Sequence, residues 1–89
     1  AVNNFAAAGE DEFFTHGLGH GVGIDIHELP NLSPAGIGKF DNGMVFTVEP
    51  GLYHPGWGGI RIEDLCRMKN GKAEILSRTP KNLIEIQVK

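Results

Sequence analysis

Glycine placement constrains this chain more than any other feature. Thirteen of its 89 residues are glycine, about twice the usual ~7% share, and they concentrate at 17–23 and 51–59. Glycine is about 1 kcal/mol less favourable than alanine in a helix interior, so neither stretch sustains a helix. His16 and His20, four apart, therefore do not share a helix face. Clustering of this kind marks places where the backbone turns or approaches another group closely, not general disorder.

Between the glycine clusters the apolar residues recur with a period of two, the signature of half-buried strands. Residues 44–49 are the clearest case, with Met44, Phe46 and Val48 on one face and Val45, Thr47 and Glu49 on the other. A second strand over 59–65 puts Ile60 and Ile62 on one side and Arg61 and Glu63 on the other. A short strand at 24–27 turns Ile24 and Ile26 to a core and sends Asp25 and His27 together to the opposite face. Weaker strands follow at 66–69, 73–76 and 83–88, the first two joined by a hairpin turn at Asn70-Gly71. Residues 29–42, with two prolines and two glycines, read as a loop that ends in the turn Asp41-Asn42-Gly43. Residues 1–8 read as the tail of a helix stopped by Gly9. The whole is an α+β chain, mainly a curved antiparallel sheet with a helix remnant.

Size and charge narrow the partners. A chain of 9.6 kDa is one domain at most and hides only about 60% of its unfolded surface, so its core is marginal. Cys66, the single cysteine, has no intrachain partner and reads as an inert buried thiol. A formal charge of −3 argues against nucleic acid or an anionic membrane as the main partner. No stretch approaches the ~18 apolar residues of a membrane span, and the opening AVNNFAAAG has no basic start; the expected compartment is the cytoplasm.

Three of these strands deliver ionisable side chains to a face short of large apolar residues: Asp25 with His27, Glu49, and Arg61 with Glu63. Carboxylate oxygens mixed with imidazole nitrogen suit a divalent ion of intermediate hardness such as Mn, Co, Fe or Zn, and the lack of cysteine clusters excludes a thiolate zinc site. The same residues also fit a plainer arrangement, in which Glu49 is solvated at a strand end and Glu63 pairs with Arg61.

Three ordered runs carry a resemblance: HGLGHGVGIDIHELP at 16–30, GMVFTVEPGLY at 43–53 and GGIRIEDL at 58–65. Together they resemble the C-terminal metal-binding half of the pita-bread (creatinase/aminopeptidase-like) metallopeptidases, specifically the Xaa-Pro dipeptidases (prolidases) and Xaa-Pro aminopeptidases (aminopeptidase P). The ending SRTPKNLIEI fits the same family's last strand. The resemblance implies a site with two divalent ions, Mn or Co in the first place, with Zn or Fe as alternatives. It makes His20, Glu49 and Glu63 metal ligands, with Glu63 bridging both ions. It gives Glu49 a second role in proton transfer, makes His27 the donor to the tetrahedral intermediate, places His16 in the substrate pocket, and sets Arg61 behind the ligands. The implied substrate is an Xaa-Pro dipeptide or a peptide N-terminus, cleaved at the amide bond before proline, and the implied parent is a homodimer.

The sequence departs from the family in one respect. Two aspartate ligands come from strands N-terminal to the matching segment, and neither Asp25 nor Asp41 sits in the corresponding motif. The expectation is that residues 1–89 are a C-terminal fragment of the catalytic domain, inactive alone and prone to self-association through its uncovered apolar face. The alternatives are a non-catalytic pita-bread protein-binding module and a creatinase-like or methionine aminopeptidase-like member.

Overall fold

In the computed structural model, which describes residues 2–33 and 40–88, a short helix α1 (Val2–Ala7) is followed by a single 3-10 turn (Asp11–Phe13) and seven strands. Gly9 stops α1 with φ +74°, a left-handed conformation that glycine adopts without a Cβ penalty. Phe5 then packs edge-on against Phe14, ring centroids 5.1 Å apart.

The strands are β1 (Gly19–Gly21), β2 (Glu28–Leu32), β3 (Val45–Val48), β4 (Gly51–His54), β5 (Gly58–Arg61), β6 (Asp64–Lys69) and β7 (Lys72–Ile75). Five of them form one antiparallel sheet in the order β2-β1-β3-β6-β7, and β4 and β5 form a separate two-stranded ribbon. The turn between β6 and β7 is the expected Asn70-Gly71, both with positive φ, as a two-residue hairpin of that type requires. At the centre, Phe46 and Cys66 face each other across β3 and β6, each 3% exposed, with Phe40 against Phe46 at 4.6 Å. Burial pushes the Cys66 thiol up from its ordinary value, the Asp64 charge adds to this and Lys81 opposes it.

Several expectations are corrected. Residues 24–27 form no strand, and Ile24 and Ile26 are exposed at 104% and 84%. Gly21 pairs with Glu28 across β1 and β2, so the residues between them have to reverse the chain and cannot extend. The expected loop at 29–42 begins inside β2 instead, and its residues 34–39 lie outside the described ones. Pro30 is tolerated there because β2 is an edge strand, where a missing N–H costs no ladder bond. The strand expected over 59–65 is two strands broken at Ile62 and Glu63. β5 pairs with β4 in the ribbon and β6 with β3 in the main sheet, so the chain changes sheets at that point. Ile60 and Ile62 are both exposed, whereas Phe46 is buried. β4 was not foreseen, since its four residues between Pro50 and Pro55 carry no alternation. Residues 83–88 make no strand, because among the described residues no strand edge receives them.

Candidate metal centre

The G-H-G of β1 lies between β2 and β3. A Cβ on Gly19 would fall on the Thr47 carbonyl of β3, and one on Gly21 on the Leu29 carbonyl of β2. Both glycines are therefore required by the neighbouring backbones, the close approach that their clustering implied. The close approach fixes His20. Its backbone N–H donates to Thr47 Oγ1 at 3.1 Å, and Thr47 is itself buried.

Register then brings the first carboxylate to the imidazole. Gly21 stands opposite Phe46, and the Glu49 N–H donates to the Leu18 carbonyl at 2.6 Å, which continues the same antiparallel pairing past the end of β3. Glu49 thus lies two residues beyond the position facing His20, on the same side of the sheet, within reach of a diagonal contact. His20 Nε2 is 3.5 Å from Glu49 Oε2, and both side chains are largely buried. His20 Nδ1 lies 2.8 Å from the Gly21 carbonyl. Only a protonated Nδ1 can bond a carbonyl, so this contact places a proton on Nδ1; in the neutral imidazole the lone pair is then on Nε2, the nitrogen that faces Glu49. A backbone acceptor on the far nitrogen is the usual support of a metal-ligating histidine.

Around this pair is a cavity of about 670 Å³ whose walls include His16, His20, His27, Glu49, Tyr53 and Arg61. The His27 ring meets His20 edge-on at 4.6 Å, from the bend between β1 and β2 and not from a strand. His16 bonds the Gly17 carbonyl through Nδ1 at 2.6 Å, while its Nε2 is enclosed without a hydrogen-bond partner among the described residues and its ring stands 5.5 Å from Tyr53. Tyr53 is a cavity residue that sequence reasoning missed, and the only signal for it was its place two residues after Pro50-Gly51.

Glu63 is placed differently. It occupies the corner between β5 and β6, its Oε2 is 3.9 Å from Arg61 Nε, and it is not part of the cavity wall. Val48 pairs with Asp64, and the next pair in that register is Glu49 with Glu63. Among the described residues no three His, Cys, Asp or Glu side chains stand close enough to hold a metal ion, so the structure brings together His20 and Glu49 but not the expected triad. Asp25 is not part of the cavity wall, and its N–H donates to Glu28 Oε2 at 3.2 Å.

The donor set fits a divalent ion of intermediate hardness in part. One imidazole nitrogen with its proton on the far side and one carboxylate oxygen converge, and a second carboxylate follows in register. Two carboxylates directly opposite each other across strands repel unless a cation lies between or beside them.

Comparison with known proteins identifies the family and the fold. The family model for metallopeptidase family M24 matches residues 1–70. The chain is 43% identical over 84 residues to the Xaa-Pro dipeptidase of Pyrococcus horikoshii, covering 94% of this chain and 24% of that protein. Among solved structures, an Xaa-Pro dipeptidase from Bacillus anthracis superposes with a TM-score of 0.87 at 41% identity, covering 93% of this chain and 23% of the other. An X-Pro aminopeptidase from Thermotoga maritima gives a TM-score of 0.84 at 41% identity, covering 91% and 23%. The chain therefore spans about a quarter of the length of these relatives, and its sheet is the corresponding piece of the pita-bread fold.

Proposed function

This chain belongs to metallopeptidase family M24, and from that premise we propose that it is the segment of a longer Xaa-Pro exopeptidase that contributes His20, Glu49 and Glu63 to a dinuclear metal centre. The observation that carries the reading is the contact of His20 Nε2 with Glu49 Oε2 at 3.5 Å, with the His20 proton held on Nδ1 by the Gly21 carbonyl. The names of the relatives share cleavage at Xaa-Pro and differ in whether a dipeptide or a longer peptide is the substrate. Residues that complete the centre come, in this reading, from parts of the catalytic domain outside 1–89.

His20 Nε2 and one oxygen of Glu49 would hold one ion, and the two oxygens of Glu63 would serve both. Manganese or cobalt matches this mixture of nitrogen and oxygen donors. When bound, the ions supply an activated water and polarise the scissile carbonyl. Glu49 takes the proton from the attacking water and passes it to the leaving amine. His27, on the cavity wall beside His20, donates an N–H to the oxygen that gains charge at the tetrahedral carbon. His16 and Tyr53 form the wall against which the substrate side chain lies, and Arg61 holds Glu63 from behind. A lone buried thiol suits the reducing cytoplasm, and a homodimeric parent belongs to the same proposal.

The test is hydrolysis of Ala-Pro and Ala-Ala by the polypeptide that carries residues 1–89 with the rest of its catalytic domain. Manganese-dependent cleavage of Ala-Pro, lowered by about 10²–10⁴ in Glu49→Gln, is expected. Equal cleavage of the two dipeptides, or full activity of Glu49→Gln, overturns the reading.

A further inference from the structure

Glu63 is the least braced of the three proposed ligands. It belongs to neither the β4-β5 ladder nor the β3-β6 ladder, and its side chain is 45% exposed with Arg61 Nε at 3.9 Å. The next two residues, Asp64 and Leu65, are held far more firmly, by the segment after β7. Leu65 N–H donates to Ser77 Oγ at 2.8 Å, Leu76 N–H donates to the Leu65 carbonyl at 2.8 Å, and Lys81 Nζ lies 3.0 Å from Asp64 Oδ1. The Asp64 side chain is 16% exposed and its Oδ1 is enclosed. The Lys81 ammonium is the charge that faces it.

Asp64 stands opposite Val48 and the same register continued sets Glu63 opposite Glu49, so the two adjacent carboxylates leave on opposite sides. We propose that Lys81 is a positioning residue for the metal centre: by neutralising Asp64 it keeps that carboxylate seated beside Val48 and leaves Glu63 as the acid that turns toward the ions. This rests on the reading of Glu63 as a ligand. Without the ammonium, an enclosed carboxylate has no compensating charge, and it relieves this by rotating toward water or toward the nearest cation. Either rotation twists the corner that carries Glu63 and sets Asp64 in competition with it. Segment 76–81 has no regular secondary structure, and its role in this account is to brace that corner from the outside.

The test uses the polypeptide that carries residues 1–89 with the rest of its catalytic domain and Mn²⁺ alone as the probe, free ion being followed by electron paramagnetic resonance. Lys81→Met is expected to weaken Mn²⁺ binding about tenfold, as loss of a residue supporting a ligand does, and adding Asp64→Asn to Lys81→Met is expected to restore it. Glu63→Gln alone is expected to weaken binding at least as much. If Glu63→Gln weakens binding and Lys81→Met does not, the positioning role is overturned while the ligand reading stands. If Asp64→Asn fails to restore binding, or neither Lys81 variant folds, Lys81 is merely structural and the proposal is overturned. If Glu63→Gln leaves binding unchanged, the ligand reading falls and this inference with it.

Discussion

His20 donates its backbone N–H to the hydroxyl of Thr47, a buried side chain one strand away. The imidazole is thus fixed at its root by β3 and at its far nitrogen by Gly21. Thr47→Val keeps the shape and removes the acceptor, leaving an N–H unsatisfied at a cost of about 1–3 kcal/mol. Urea unfolding of the 89-residue chain is expected to show a loss of that size, and Thr47→Ser a smaller one. An unchanged midpoint in Thr47→Val would mean that the hydroxyl does not hold the strand.

Gly19→Ala tests the packing explanation of the G-H-G run. Its Cβ would meet the backbone carbonyl of Thr47, which cannot move aside as the end of a side chain can. Forcing β1 away from β3 is expected to cost about 1–3 kcal/mol. Gly43→Ala meets no atom within 4 Å but sits at φ +89°, so its cost comes from backbone conformation alone. The pair distinguishes crowding from strain: only Gly19→Ala should also disturb the imidazole resonances of His20 in NMR spectra.

How far the site was legible in the sequence follows from these contacts. The register that sets His20 beside Thr47 and Glu49 comes from the β1-β3 pairing, but the shared face of those two residues could be read from the period of two over 44–49. The placement of His27 could not. Its alternation with Ile24 and Ile26 mimicked a strand, but the Gly21–Glu28 pairing made the segment a reversal, and pairing partners are not written in local periodicity. Ile62 and Glu63 failed for a related reason: continuous alternation over 59–65 hides the point at which the chain leaves one sheet for another. Segment 83–88 alternates equally well and pairs with nothing among the described residues.

The Arg67–Glu74 pair gives a pH dependence. A hydrogen bond from Arg67, 2.8 Å long, holds the Glu74 carboxyl below its ordinary value. A carboxyl whose value is lowered by folding contributes stability above the unfolded-state value and loses it as pH falls through the folded one. The unfolding midpoint of the wild-type chain should therefore exceed that of Glu74→Gln by a small margin at pH 7, and the two should converge in acid. A gap that is constant from pH 7 to pH 3 would contradict this.

Exposed apolar side chains predict association. Trp57 at the tip of the β4-β5 ribbon is 86% exposed, and Ile24, Ile26, Leu29 and Ile60 are exposed as well. Each such side chain left wet forgoes about 1.5–3 kcal/mol, against the few kcal/mol by which a small domain is stable. Sedimentation at micromolar concentration is expected to show dimers or larger species. A monodisperse, cooperatively unfolding monomer would show that the sheet needs no further cover.

The most direct measurement of the central claim is anomalous diffraction at the manganese edge from crystals of the polypeptide that carries residues 1–89 with the rest of its catalytic domain, soaked in Mn²⁺. The account predicts two peaks about 3.5–4 Å apart, one of them at bonding distance from His20 Nε2 and Glu49, with Glu63 touching both. Peaks elsewhere in the molecule, or a fully loaded crystal in which His20 Nε2 points away from the metal, would contradict it.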